Sequence, residues 1–568
     1  MITLPLEELR KIETLRRVMD VGFEPWKAVY RDLADYLLPL RYTWLDDSYT
    51  TDGVVNVLSR TPQKNLRNRK IIDATGTKSL RDLAAGMLNG VASPAREWFN
   101  IRFSHDFPDG QVPIMLQRWL DETRRRMFLV LAGSNFYNSL AILLLEMACF
   151  GTSGMLCYED YNDVVRFYNL PTGSFRIGQD FRRDVNRMSR TENFTVDQLV
   201  ERFKEENLLP QTKAKAAQGG GQRLHGIQVG HLIEPNIEDG RHIPGGAPYR
   251  EFYWEIAGPN VPGQILSRAI YNERPGAFPR WELNGNDPYG VSPGMDALPD
   301  VIQLQQESLR KGEAIDKMTD PPTVLDASLR GQGGRADPGA RFYVPSFSQA
   351  RGGALYQPNL NVAELSADIR DVQQRIRDIF FNDLFRMISQ LQTVRSATEI
   401  DARQQEKLVL MGAVLERLEN EALDPIMVRV FNIMKRKGLL PPFPEGFPEM
   451  GVEINYVSIL SDAQRAAGTG VIERFIATIG NLIAVVPDVK HVPAWHSLIR
   501  DYATRLSVPA NGINPSEVTD QLIQEEKQQL AQQNEAIVGR ELTQGAKNLS
   551  ETDVGGGQNA FQAILGGV

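Results

Sequence analysis

The chain has 568 residues, more than one ordinary domain holds, and its 42% hydrophobic content can fill a sizeable core divided over several compact units. A formal net charge of −8 and a pI near 5.6 argue against a surface devoted to gripping nucleic acid, though not against one past which nucleic acid slides. Two cysteines, Cys149 and Cys157, lie in apolar surroundings without metal-ligand spacing and read as buried free thiols in a reducing compartment.

The opening Met1 to Arg10 turns charged at once and has no signal-peptide pattern. The best apolar run, Leu140 to Phe150, is short and carries Glu146, so it predicts a core helix and not a membrane span. A soluble, intracellular protein is expected. Leu4 to Leu40 has apolar residues at helical spacing, with Pro39 as its stop. A second helix opens near Asp73 with Thr75 or Thr77 as cap, and Pro94 ends it before a strand from Trp98 to Phe103. Pro113 to Ala132 and Ser134 to Phe150 predict two further helices.

After Gly151 short β-type runs take over: Met155–Tyr158, Val164–Asn169, Phe175–Gln179, Val185–Thr191, His225–Glu234, Tyr249–Ile256 and Ile265–Tyr271. A brief helix, Thr195–Phe203, and a flexible connection, Gln211–Gln222, interrupt them. The pattern then predicts a helix from Asp296 to Met318 and short strands over Thr323–Tyr356. A second helix follows, with the seam Val362, Leu365, Ile369, Val372, Ile376 and Ile379. Asn361 and Glu364 suit its start, and a length from Ala363 to Met387 corresponds to about 37 Å. Helix out, small β head and helix back predict an antiparallel pair with the head at its far end. A polar stretch, Ser389–Arg395, precedes a capping box at Ser396–Glu399; the next helix stops at Lys435-Arg-Lys437 before Gly438 and Pro441. Beyond lie a strand over Val452–Leu460, helices over Ser461–Val485 and Pro493–Tyr502, a Gln- and Glu-rich helix over Pro515–Gly545, and a Gly-rich end.

No pattern argues for catalysis. Gly76-Thr-Lys-Ser79 lacks the spacing of a phosphate loop, and Gly151-Thr-Ser-Gly154 that of a nucleophile elbow. His225, His231 and His242 share a region without the partners of a metal site. No metal or cofactor is expected.

In its order of pieces the chain resembles the head-to-tail connector, or portal, proteins of short-tailed bacteriophages. The carriers are Leu80-Arg-Asp-Leu-Ala-Ala-Gly-Met-Leu-Asn-Gly90 through Pro94 with Trp98-Phe99, then Phe167 to Phe175 and Tyr289-Gly-Val-Ser-Pro293. Ala397-Thr-Glu-Ile-Asp-Ala-Arg403, and Glu416 to Pro425 with Gly438-Leu-Leu-Pro441, complete them. The resemblance spans about Leu9 to Leu460.

It implies an α+β, mainly helical portal fold assembled as a dodecameric ring around a DNA channel at a capsid vertex, with no enzyme activity. Residues 1–150 would be the helical part of a wing and 151–287 its β-rich part. A stem would comprise 288–322 and 361–387, with a clip at 323–360 between them. A tunnel loop at 388–396 would present Ser389, Gln390, Gln392, Thr393 and Arg395 to double-stranded DNA. Residues 397–460 would return to the wing, 461–545 form a helical crown, and 546–568 a flexible tail. Implied partners are the terminase large subunit, tail adaptor and nozzle proteins, and major capsid and scaffolding proteins, with no membrane. In the clip, Arg330, Arg335, Arg341 and Arg351 outnumber the nearby acids. They either dock terminase and adaptor or pair between neighbouring clips. A non-viral coiled-coil scaffold is the alternative, and a DNA-processing enzyme a more distant one.

Overall fold

The computed structural model describes residues 6–45, 70–104, 113–238, 241–242, 247–257, 263–321, 323–326, 341–344, 353–354, 362–385, 411–445, 447, 451–457, 475–479, 495, 497–499 and 516–551. The chain divides into two compact units, Met1–Ala467 and Gly468–Val568. Helices and strands mix throughout the first unit, an α+β architecture as the sequence predicts.

Helix α1 (Leu6–Tyr36) serves two cores. Leu9 and Ile12 pack on a β-sheet, whereas Phe23, Tyr30, Leu33 and Leu37 just beyond it enter the main core. The helix stops at Tyr36, short of the expected Leu40. Pro39 opens a 3-10 turn (Pro39–Trp44), where its fixed φ suits a first position. Neither expected threonine caps α2 (Thr75–Val91). The Asp73 carboxylate accepts the Thr75 N–H at 2.7 Å, while the Thr77 hydroxyl donates to the Leu37 carbonyl. Strand β1 (Phe99–Phe103) pairs antiparallel with the distant Val452–Tyr456. Trp98 stacks between Phe136 and Tyr456, closing the early and late parts of the unit on each other.

Helices α3 (Ile114–Gly133) and α4 (Phe136–Phe150) follow, and α4 is mostly buried. Its Glu146 bonds Arg41 Nε at 2.7 Å and accepts from the Thr172 N–H and hydroxyl at 2.9 and 3.0 Å. Burial raises this carboxyl above its ordinary range, against the pull of Arg41 and Thr172. No single helix among the described residues is long and apolar enough to cross a membrane.

The β-rich part begins with β2 (Gly154–Glu159), β3 (Val165–Leu170), β4 (Phe175–Gln179) and β5 (Val185–Thr195). Helix α5 (Val196–Phe203) opens on a full capping box between Thr195 and Gln198. The expected flexible connection is instead helix α6 (Pro210–Gln218) and a 3-10 turn to Leu224. Pro210 at the first position and the good formers Ala-Lys-Ala-Ala-Gln outweigh the glycines that follow. Strands β6 (Gly226–Pro235), β7 (Tyr249–Glu255) and β8 (Gln264–Tyr271) complete a five-stranded sheet ordered β8-β7-β6-β5-β4. With β9 (Gly276–Ala277), β2 and β3 make a second sheet, ordered β9-β2-β3. The two-residue period sorts β7: Phe252 and Trp254 join Leu9 and Ile12 of α1, and Tyr253 joins Leu199 and Phe203 of α5.

Helix α7 (Pro293–Thr319) is capped by Ser292, whose hydroxyl accepts the Met295 N–H. Between it and α8 (Val362–Ile379) lie β10 (Thr323–Asp326), β11 (Arg341–Val344) and β12 (Gly353–Ala354), a small sheet with β10 central and parallel to β11. Residues 411–418 are helical, pass through a π-turn at Glu419–Leu423, and continue as α9 (Asp424–Arg436). Gly438, at φ +67°, takes the left-handed position past the helix end, as its sequence signal predicts. Strand β13 (Val452–Tyr456) ends before Val457, and residues 458–460 of the expected run lie outside the described residues.

Ion pairs, buried at Arg280 and Arg429 and part-exposed at Arg436, fasten this last helical stretch to the β-rich part. Arg280 donates to Glu421 from Nε at 3.1 Å and Nη2 at 2.7 Å, and to the Arg183 carbonyl at 2.8 Å. Arg429 donates to the Cys157 carbonyl at 2.6 Å, and Arg436 bridges Glu159 and Glu273. Burial pushes the Cys157 thiol up to about 12, so it is inert at ordinary pH.

In the second unit, α10 (Ser516–Glu551) runs beyond the expected Gly545, with Leu522, Ile537, Val538 and Leu542 exposed. Of the expected helices over 461–485 and 493–502, residues 475–479, 495 and 497–499 are described, and they are helical.

Removing one partner of a buried, hydrogen-bonded ion pair strands the other charge. Glu421→Ala therefore costs the first unit about 3–5 kcal/mol, read as a lowered thermal transition, with Glu421→Asp losing less.

Candidate functional site

The helix pair α7/α8 is half embedded and half projecting. At the embedded end Ala297, Val301 and Leu304 of α7 and Ile369, Val372 and Ile376 of α8 are buried in the main core. Arg375, late in α8, donates to Asp300 and Gln303, early in α7. The small sheet joins the opposite ends, so the helices run antiparallel.

A polar clamp locks this base to the approach of α2. Gln305 Oε1 accepts the N–H groups of Ile72 and Asp73 at 2.6 and 2.8 Å, and its amide donates back to the Asp73 carbonyl. Gln373 of α8 donates to the Asp73 carboxylate at 2.8 Å. One aspartate thus ties three elements together. A Cβ at Gly76 would lie 3.0 Å from Val301, so the Gly76–Ser79 turn is packed against α7 and is no phosphate cradle.

Toward the small sheet the burial ends. Leu309 of α7 is 51% exposed, Ile315 43% and Met318 45%. Ile315 continues the stripe of Val301 and Leu304 around the helix, yet it is left nearly half exposed. An apolar stripe outrunning its own core asks for a partner.

The predicted seam is legible here: Ile369, Val372 and Ile376 are buried, and Leu365 and Ile379 pack partly buried against the core. Val362, also half-buried, is the first residue of the helix. The expected continuation to Met387 is interrupted. Regular helix ends at Ile379, about 27 Å from its start, and Phe381 takes φ +53° before a further helical turn over 382–385. Packing explains the break. Phe380, Leu384 and Phe385 are all buried, and a Cβ at Gly86 of α2 would come within 2.3 Å of the Phe385 ring.

Arg341 is the first residue of β11, opposite Thr323 in register. Arg330, Arg335 and Arg351 lie outside the described residues, as do Ser389, Gln390, Gln392, Thr393 and Arg395. Asn361 of the predicted capping pair does too, whereas Glu364 lies in the first turn of α8.

Among the described residues no group of His, Cys, Asp and Glu could hold a metal. His231 is buried and committed, with one ring nitrogen 2.7 Å from Glu251 and the other accepting from Arg190. Burial lowers its pKa, opposed by Glu251. That carboxylate also accepts the hydroxyls of Tyr158 and Tyr271. The cluster is a closed network beneath the sheet.

Residues 9–513 match the family model described as bacteriophage head to tail connecting protein. The chain belongs to this family. It is similar to the portal protein of Salmonella phage epsilon15, 35% identical over 521 residues that cover 90% of this chain and 92% of the relative. It is also similar to a probable portal protein of Bordetella phage BPP-1, 33% identical over 528 residues covering 92% and 91%. The helix pair, its clamp at Asp73 and the small sheet all fall within the matched region.

Proposed function

We propose that the chain is the subunit of a closed portal ring at one capsid vertex, a structural conduit for double-stranded DNA and not an enzyme. The observation that carries this reading is the helix pair: its base is locked into the core, while its outer half leaves Leu309, Ile315 and Met318 about half exposed in the single chain. A ring of equivalent copies covers such a stripe on every subunit at once. In this reading α7 and α8 are the stem and the small sheet belongs to the clip at 323–360. Residues 1–150 and 151–287 form the wing, and 461–545 the crown.

The charge fits a conduit. Each Lys or Arg that neutralises a phosphate releases counterions and makes a stopping point, so an acidic wall favours passage. Residues Ser389, Gln390, Gln392 and Thr393 offer weak, exchangeable hydrogen bonds to passing DNA, with Arg395 for brief phosphate contact. Terminase docks at the clip during packaging and adaptor and nozzle proteins replace it there; capsid and scaffolding proteins surround the wing. Arg330, Arg335, Arg341 and Arg351 give the clip its basic excess toward these partners.

Negative-stain imaging of the purified chain is expected to give closed rings with a central hole; rods or monomers would overturn the reading. Shortening Ser389–Thr393 leaves those rings intact but impairs packaging or retention of DNA, and normal packaging and retention would remove the loop from the mechanism. Reversing charge at Arg335 and Arg341 weakens terminase or adaptor binding with rings preserved. Loss of the rings instead would assign these arginines to contacts between neighbouring clips.

A further inference from the structure

Four strands of the five-stranded sheet set a row of polar side chains on one face. Arg190 of β5 lies directly opposite His231 of β6, and His231 opposite Tyr253 of β7. Glu251 is two residues along β7 on the same face, and Tyr271 ends β8 beside it. The imidazole is wholly buried and stacks on the Tyr253 ring at 4.1 Å. A guanidinium donates and never accepts. The Arg190 Nε–H, with its nitrogen 2.9 Å from Nδ1, therefore requires Nδ1 to carry no proton. The ring's single proton sits on Nε2, 2.7 Å from Glu251.

A second proton, on Nδ1, would meet Arg190 donor to donor and cation to cation. The other groups around the ring decide which side gives way. Tyr158 of β2 and Tyr271 both donate to Glu251. Arg202 of α5 lies 4.7 Å from the Tyr253 ring, and Arg429 of α9 4.7 Å from that of Tyr271. Burial raises the Glu251 carboxyl, but the bonds from His231, Tyr158 and Tyr271 hold it below its ordinary range. It thus stays ionised, an anchor for the charged ring. Arg190 has somewhere else to go. Its Nη1 is already paired with Glu192, and both line a cleft of 700 Å³ with Tyr168 and Phe194. A smaller cleft of 360 Å³ toward α1 also borders Arg190, but there Arg16, Lys27 and Arg176 outnumber Asp20 and Glu24, a poorer place for a cation.

We propose that His231 is a proton-operated latch: a proton taken from solvent onto Nδ1 breaks the bond to Arg190, whose side chain turns on Glu192 into the larger cleft while the ring stays on Glu251. Without that proton, the network ties β5 through His231 and Glu251 to Tyr158 of the second sheet; acid cuts the link to β5 and leaves the rest. Burial, the larger influence, lowers the pKa of His231 against the pull of Glu251. A histidine lowered on folding contributes stability that is present above its unfolded value, about 6.5, and is lost as pH falls below it. The latch is complete within one chain and does not depend on the ring reading.

The test begins with deuterium exchange at the imidazole C2 position of the full-length chain, followed by peptide mass across a pH series. His231 is expected to titrate below its value in the denatured chain, and Arg190→Met to raise that midpoint. A midpoint that Arg190→Met leaves unmoved would overturn the latch, because burial alone would then account for the neutral ring. His231→Gln keeps an acceptor for Arg190 and a donor for Glu251 but takes up no proton. Between about pH 8 and about pH 5 the unmodified chain is expected to lose more of its thermal transition than this variant, its unfolding constant gaining up to about tenfold per pH unit. Parallel losses in the two would overturn the proposal. Structures at the two ends of that range are expected to show the Arg190 guanidinium on His231 and then in the cleft beside Glu192. A guanidinium still on the ring in acid would overturn it as well.

Discussion

Much of this molecule depends on one aspartate. Asp73 accepts the Thr75 N–H at the start of α2 with one carboxylate oxygen, accepts from Gln373 of α8 with the other, and gives its backbone to Gln305 of α7. Beneath it, Val301 and Leu37 come so close to α2 that a side chain at position 76 would have to push them aside. Gln305 is buried here, so an unpaired amide on it would carry a desolvation cost, and its bonds to Ile72 and Asp73 meet that cost. The clamp therefore sets the register of both long helices against the body of the unit. With the base fixed, the projecting half can be stripped of its own core without the pair coming apart.

A second fastening runs through arginine. Arg280, Arg429 and Arg436 each reach from or to the helical stretch around α9 and bond glutamates or carbonyls of the β-rich part. Ion pairs of this kind stabilise a fold only weakly compared with apolar packing of equal volume, but they discriminate sharply between one docking geometry and its neighbours. A planar guanidinium bonded at two nitrogens, as at Glu421, fixes orientation as well as distance. In the ring proposed above, a subunit that presents the same surface to successive copies gains from that discrimination.

What could be read from the sequence follows from how local each signal is. The seam Ile369, Val372 and Ile376 shows as spacing alone, because burial on one helix face leaves a period in the chain. Gly438 and the lysine and arginine before it mark an end through purely local chemistry. The clamp had no such trace: Gln305 and Gln373 are ordinary polar residues until Asp73 is placed beside them, 232 and 300 positions away. Helix α6 was hidden by a run of glycines that follows it, and the break after Ile379 by an apolar pattern that carries on through Phe380 and Leu384. The small sheet was visible as short strands, but the parallel pairing of β10 with β11 leaves no local signal in the chain.

The two departures from regular helix gain sense when taken together. At Phe381 a left-handed residue interrupts the end of α8, and at Glu419–Leu423 a π-turn adds a residue to the helix leading into α9. Both cost free energy relative to unbroken α-helix, so packing must over-determine them. It does: Phe380, Leu384 and Phe385 are buried on one side, and Ala422 and Leu423 on the other, with Glu421 held by Arg280. In sequence the two irregularities bracket residues 388–396, the segment proposed to meet DNA. Straight helices would carry any displacement of that segment directly along their axes into the core. A break on one side and an inserted residue on the other give each helix a place where its direction changes while its buried side chains stay put. The fold thus separates the clamp and the arginine fastenings from the connection to the segment proposed to meet DNA.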